Sequence, residues 1–286
     1  MKDRSVRLGR TRRRERLRAR YGPWAIVTGA SDGIGREMAR RLAEAGLNLV
    51  LVARRRAALD EIAADLTARH RIETRVLDVD LALGDAVEAI EDATRDLDVG
   101  LLIAAAGFGT SGPFLDARLD RELEMLRVNC GAVLGLSLGV GRRLAERGRG
   151  GIVLMSSLVA FQGVPLSANY AATKAYVQSL AEALHLELAP LGVDVLASAP
   201  GPVRSGFAAR AGMEMGAALT PADVAQATLD ALGRKTTVVP GLLSKLLTYS
   251  LAPLPRSARA RMMGRVMRGM TKQVHEPTQG KDPKPA

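Results

Sequence analysis

Cysteine is nearly absent from this chain. Cys130 stands alone, so no disulfide can form within the chain, and the usage fits a reducing, cytoplasmic compartment. Histidine is scarce too: His70, His185 and His275 show no metal-ligand spacing, and no metal site is expected. Aromatic residues make up 3% of the chain, too few to interleave with its basic stretches as stacking platforms, which argues against a nucleic-acid reader. The first twenty residues lack the apolar core of a secretory signal, and no run reaches the length expected of a transmembrane helix. Internal repeats and low-complexity tracts are missing as well.

What the chain does have is 286 residues, enough for one large α/β domain with a substantial core. Apolar Val/Leu/Ile runs at 24–28, 47–53, 73–79, 99–105, 151–156 and 194–199 read as strands. Between them, 36–45, 59–69, 84–96, 121–147, 170–188 and 221–232 read as helices. Strands that are apolar throughout are buried on both faces, so the expected fold is a doubly wound, mostly parallel sheet with helices on both faces.

Two motifs carry chemistry. The first strand runs into Gly29-Ala-Ser-Asp-Gly33-Ile-Gly35 and then a helix, the context in which a glycine pattern signals a dinucleotide site. Gly29 permits the tight turn, Gly33 lets the backbone approach a pyrophosphate, and Gly35 allows close helix packing. Ser31, Asp32 and Ile34 complete the turn, and the N–H groups at the helix start face the phosphates. The second motif is Tyr170-Ala-Ala-Thr-Lys174. On a helix the two side chains share a face, and an ammonium beside a phenol favours the phenolate and lowers its pKa. Ser157 follows the strand at 151–156, and Asn129 lies on the long helix before it.

In this order, Thr28–Gly35, Ala104-Ala-Ala-Gly107, Asn129, Ser157, Tyr170/Lys174 and Pro200-Gly-Pro-Val203 resemble the short-chain dehydrogenase/reductase family, in its single-domain, Rossmann-type subgroup. The resemblance spans roughly residues 22–233. It implies a hydride-transfer enzyme in which Tyr170 exchanges a proton with the substrate oxygen and Ser157 orients that oxygen. Lys174 lowers the Tyr170 pKa and binds the nicotinamide ribose, and Asn129 holds a water that links Lys174 to solvent. It further implies that Asp80 and Leu81 hold the adenine, with Asp78 as a competing register. Ala106 and Gly107 flank the cofactor, while Pro200 and Val203 face the nicotinamide. The alanines at 104 and 105 depart from the family's asparagines and remove their hydrogen bonds. Ser205 keeps the hydroxyl of the usual threonine.

The strand at 47–53 ends in Ala53-Arg-Arg-Arg56, with no acid to repel a 2′-phosphate, and Arg54 is placed to clamp one. NADP(H) is therefore expected over NAD(H), although Asp32 sits where many NADP-preferring relatives carry a basic residue. Phe207, Met213 and Met215 are candidates for one wall of an apolar substrate cleft, and Phe108-Gly109 with Pro113-Phe114 for the other. A small-molecule carbonyl or alcohol of lipophilic, 3-ketoacyl or steroid-like type is the expected substrate. The family implies a homodimer or homotetramer.

Charge is gathered at the ends. Residues 1–20 carry ten Lys/Arg against Asp3 and Glu15, and residues 256–286 carry eight against Glu276 and Asp282. From the overall +11, this leaves 21–255 at about −3. The chain divides into a basic extension at 1–20, a catalytic domain at 21–240 and an amphipathic, basic extension at 241–286. The N-terminal extension is expected to be solvated, with anionic lipid or nucleic acid as alternative partners. For 241–268 the expectation is a helix packed beside the substrate cleft or an oligomer contact, with a membrane-surface segment as the alternative. A peripheral membrane protein, or an NADP-sensing protein with little catalysis, is the other functional class. The intact Ser157, Tyr170 and Lys174 argue against idle catalysis.

Overall fold

The computed structural model describes residues 14–212 and 218–271; Met213, Met215, His275 and the remainder of both termini lie outside the described residues. Seven parallel strands form one sheet: β1 (Trp24–Thr28), β2 (Asn48–Ala53), β3 (Thr74–Asp78), β4 (Val99–Ala104), β5 (Gly150–Met155), β6 (Val193–Ser198) and β7 (Thr237–Val238). Their order is β3-β2-β1-β4-β5-β6-β7, so the winding reverses between β1 and β4, where a doubly wound sheet opens its crevice.

Alternation along each strand fills two cores. Ala25, Val27, Leu49 and Leu51 face one cluster, while Ile26, Val50 and Val52 face the other. The first cluster is closed by Met38 and Leu42 of α2 (Gly33–Glu44), Leu59, Ile62 and Leu66 of α3 (Arg56–His70), and Val224 and Leu229 of α9 (Pro221–Ala231). Opposite lie Ile90 of α4 (Ala86–Ala93), Leu136, Val140 and Leu144 of α6 (Ala132–Arg147), and Val177 and Ala181 of α7 (Ala168–Leu188). Both faces of every central strand are covered, which is why these strands are apolar throughout.

The long helix read at 121–147 is interrupted. α5 (Leu119–Leu126) passes through a π turn at Arg127–Gly131 before α6 begins. The whole run Leu119–Arg147 is long and apolar enough to cross a membrane by composition, contrary to the reading that no run reaches that length. Its buried residues Val133, Leu136, Val140 and Leu144 pack on the sheet, which accounts for the hydropathy.

The N-terminal extension differs from expectation over its described part. Residues 14–21 form a helix, α1, docked against the domain rather than solvated. Leu17 and Tyr21 are buried in the first core. Arg16 donates to the carbonyls of Leu229 (3.1 Å) and Leu232 (3.0 Å), satisfying the exposed C-terminal end of α9. The Arg20 guanidinium and the Tyr21 hydroxyl both donate to Asp194 at the start of β6. Leu17→Ala should lower unfolding free energy by about 2–5 kcal/mol in urea titration. A loss below about 0.5 kcal/mol would show α1 undocked in solution.

At the other end, α10 (Leu242–Leu251) and α11 (Arg256–Met270) fold back over the domain. Leu251, Met263 and Met267 join Leu158, Val164 and Ala171 in a third, smaller cluster. The packed-helix reading of 241–268 thus describes their inner faces.

Candidate active site

A cleft of about 660 Å³ opens at the C-terminal ends of β1, β2, β4 and β5. Gly29, Ser31, Asp32, Gly33, Ile34 and Gly35 form its floor at the start of α2. Gly29 has φ +68°, and a Cβ there would lie 2.9 Å from Ala106 Cα; at Gly35 a Cβ would lie 2.3 Å from Gly29 O. Both positions therefore exclude any side chain. The Asp32 carboxylate accepts from Gly33 N (2.7 Å) as the N-cap of α2 and pairs with Arg210 (3.1 Å) from across the cleft. Its negative charge is offset from the opposite wall.

The tight approach also explains Ala104-Ala105-Ala106. Small residues let β4 pass beside the glycine turn, and Ala106 N donates to Thr28 Oγ1 (3.0 Å), a brace from β1 in place of a family asparagine.

Beyond β2 the cleft is edged by Arg54 and Arg55. Arg54 Nη1 lies 3.4 Å from Glu124 and 3.8 Å from Asp80, while Arg55 Nη2 reaches Ser31 O and Oγ (both 3.2 Å). Sequence reasoning placed the clamp on Arg54 alone; the structure puts two guanidinium groups there. Asp80 and Leu81 line the cleft. Asp78 is not among the lining residues and pairs with Arg56 (3.4 Å), so the Asp80 register is the one that faces the cleft. Strand ends, glycine cradle and paired cations together fit a dinucleotide.

The reacting end is built from β5, α7 and the turn after β6. Ser157 follows β5 and caps the short turn Leu158–Phe161, with Val159 N donating to its Oγ (3.4 Å). Tyr170 lies in the first turn of α7 and Lys174 one turn on, so the spacing does put them on one face. Lys174 is buried and its Nζ donates to Met155 O (2.7 Å), standing 5.8 Å from the Tyr170 ring centroid. Pro200, Gly201, Pro202 and Val203 close the site, Val203 being held by a bridge to Leu219.

The electrostatics depart from expectation. Burial pushes the Tyr170 phenol up to about 12, opposed by a hydrogen bond with Ser157. Burial pulls Lys174 down to about 8. The expected lysine-driven fall in the Tyr170 pKa is not observed here, because the ammonium faces the Met155 carbonyl and is itself desolvated.

Asn129 falls inside the π turn, and its side chain is engaged on both sides. Nδ2 donates to Phe108 O (2.9 Å) and Thr173 Oγ1 (3.1 Å), and Oδ1 accepts from Phe108 N (3.2 Å). These bonds tie the 107–108 loop to α7. Gly107 fits between them, since a Cβ there would lie 3.0 Å from Asn129 Oδ1 and 3.5 Å from Lys174 Nζ. Cys130 donates weakly to Thr173 O (3.9 Å), and burial raises its thiol pKa, so it is no activated nucleophile.

The two proposed substrate walls separate. Phe207 packs on Tyr170, with ring centroids 5.5 Å apart, beside the reacting groups. Phe108 also lines the cleft, with Arg121 over its ring (4.9 Å) and its body against the second core. Pro113 and Phe114 do not line the cleft, and Phe114 is exposed. The wall they were expected to supply comes from the C-terminal helices: Leu247, Met263, Val266, Met267 and Met270. The sequence reading placed a helix at 241–268 beside the cleft but named none of these side chains. The Met263/Met267/Met270 stripe at helical spacing was the available signal, hidden among arginines.

Comparison with known proteins decides what this arrangement is. A family model described as short chain dehydrogenase matches residues 23–215. The chain belongs to that family. As a short-chain dehydrogenase it is an NAD(P)-dependent oxidoreductase acting on CH–OH groups. It is 34% identical over 233 residues to a 7beta-hydroxysteroid dehydrogenase from Clostridium sardiniense, covering 80% of this chain and 89% of that one. It is 39% identical over 179 residues to a very-long-chain 3-oxoacyl-CoA reductase from Podospora anserina. That match covers 61% of this chain and only 53% of the reductase. Among solved structures, a short-chain dehydrogenase from Sphingobium yanoikuyae in complex with NADPH superposes with a TM-score of 0.73. The two are 30% identical, and the match covers 92% of this chain and 99% of that one.

Proposed function

We propose that this short-chain dehydrogenase uses NADP(H) to interconvert a lipophilic ketone and its secondary alcohol, of steroid or 3-ketoacyl type. One observation carries the reading: Ser157 and Tyr170 face a cleft whose outer wall is Phe207, Met263, Met267 and Met270. Flexible methionines and an aromatic ring suit a bulky apolar body better than a small polar one. The relatives named for hydroxysteroid and very-long-chain 3-oxoacyl-CoA substrates agree with it.

The bound cofactor supplies or accepts the hydride. The chain's own residues handle the oxygen. Ser157 Oγ donates to the carbonyl oxygen and fixes its position against Tyr170. The Tyr170 phenol carries its proton throughout the neutral range, as a group pushed up to about 12 does, and gives it to the oxygen as charge develops there. Lys174, lining the same cleft with its Nζ on Met155 O, would bind the nicotinamide-ribose hydroxyls. Asn129 holds the 107–108 loop and α7 in register, which sets the Tyr170–Lys174 pair against the cofactor half of the cleft.

NADP(H) preference rests on Arg54 and Arg55 at the end of β2, with no acid in the stretch Ala53–Arg56. Arg54→Ala/Arg55→Ala should raise KM for NADPH about 10–100-fold, as loss of charge-assisted hydrogen bonds implies, and leave KM for NADH nearly unchanged. Equal effects on the two cofactors would remove the assignment. The substrate reading is tested by a panel of steroid, 3-ketoacyl and short polar ketones, followed through NADPH absorbance; highest kcat/KM on the short polar members would overturn it. The exposed Leu119, Leu123, Leu126, Leu134 and Leu138 along α5 and α6 are the apolar face we assign to homodimer or homotetramer formation.

A further inference from the structure

α10 and α11 have two faces, and the domain uses only one. Ser244, Leu247 and Leu251 of α10 turn inward: Leu247 lines the cleft, and Ser244 sits against Gly201, where a Cβ would lie 2.4 Å from its Oγ. On the outer side of the same helix Leu242, Leu243, Leu246 and Tyr249 are 84%, 53%, 65% and 65% exposed. On α11, Met262 and Val266 are exposed as well, and Val266 also lines the cleft, so exposed apolar residues reach its mouth. Isolated exposed leucines need no explanation, but a patch covering one whole helix face does.

The charge carried by these two helices has one sign. Residues 241–271 contain Lys245, Arg256, Arg259, Arg261, Arg265 and Arg268 and neither Asp nor Glu. Arg259 is spent on the carbonyls of Ala252 and Leu254, at the junction of the two helices. The other five side chains are exposed. A second copy meeting this face isologously would set five cations against five cations. Elsewhere on the surface exposed apolar residues stand among mixed charges, such as Arg118–Asp120 and Arg121–Glu124 beside the α5 leucines.

We propose that α10 and α11 form a docking surface for an anionic lipid bilayer. Leu242, Leu243, Leu246 and Tyr249 enter the headgroup–acyl boundary while Lys245, Arg261, Arg265 and Arg268 hold anionic headgroups. The docked chain lies with its cleft mouth, marked by Val266, against the lipid, so a membrane-dissolved substrate enters without crossing water. The docking stands on the surface alone; only the delivery of substrate rests on the function proposed above.

Flotation of the full chain with vesicles of phosphatidylcholine, with and without phosphatidylglycerol, tests it. The protein should float with the anionic vesicles, be retained weakly by phosphatidylcholine alone, and detach at about 1 M salt, where the screening length is ~3 Å. Leu242→Ser/Leu246→Ser and Arg261→Glu/Arg265→Glu should each weaken anionic-vesicle binding at least about tenfold. None of these four side chains lines the cleft, so turnover of a water-soluble ketone should stay within about twofold of wild type, which also shows the variants folded. Failure of the wild type to float, or equal flotation of the variants, overturns the proposal. So does light scattering in which the variants break an oligomer, since the face would then belong to another copy. A wild type that floats but turns over no ketone would instead defeat the functional reading and leave the docking intact.

Discussion

Tyr170→Phe should lower kcat for ketone reduction by about 10²–10⁴-fold, the usual weight of a positioned general acid, while NADPH dissociation changes by no more than about threefold. The ring is kept, so its packing on Phe207 survives and only the exchangeable proton goes. The hydroxyl's hydrogen bond with Ser157 goes with it, so Ser157→Ala should cost about 10²–10³-fold by removing a donor to the same oxygen. The two losses should fall well short of adding in the double variant, because both groups serve one atom. Near-full turnover by Tyr170→Phe, read from NADPH consumption and checked against cofactor titration by fluorescence, would end the assignment.

Lys174→Met should separate activity from stability. The lysine is buried and its pKa falls from 10.5 to about 8, chiefly by desolvation. A folded-state value below the unfolded one means that the unfolded chain binds more protons between about pH 8 and 10.5. Wild-type stability therefore rises with pH through that window, and below it the folded state bears the whole penalty, about 3 kcal/mol. Methionine keeps an unbranched side chain one atom shorter and removes the charge, at the loss of one hydrogen bond to Met155 O worth about 1 kcal/mol. The cofactor-free variant should then be about 2 kcal/mol more stable than wild type near pH 7 by urea unfolding. The gain should shrink towards pH 10 while turnover stays lost. A variant less stable at pH 7 would show that the lysine is held at no cost.

Much of this was legible in the chain, for reasons that differ by element. The strands announced themselves because burial on both faces leaves no room for polar residues, as in Asn48–Ala53. The glycine turn was legible because Gly29 and Gly35 answer to sterics that tolerate nothing else. Tyr170 and Lys174 came from helical spacing in the company of Ser157, Asn129 and the glycine turn, but their pKa values did not, since those depend on burial that spacing cannot express. The π turn at Arg127–Gly131 has no sequence mark. A helix beside the cleft was legible at 241–268, but the methionines that face it were not, because Met263, Met267 and Met270 are interleaved with arginines that blur the apolar stripe. α1 was misread because only Leu17 and Tyr21 carry its burial, in a stretch whose first twenty residues have a net charge of +8.

The docking of α1 also has a meaning in the order of synthesis. Arg16 is satisfied by carbonyls 213 and 216 residues further on, and Arg20 and Tyr21 by an aspartate at 194. The helix at 14–21 is therefore late to find its place: its seat does not exist until residue 232 has been made. Contacts of that sequence separation are slow to close, and an arginine-rich helix waits unburied in the meantime. Once seated, it ties residues 14–21 to β6 and the end of α9, so the first core closes only after both have been made.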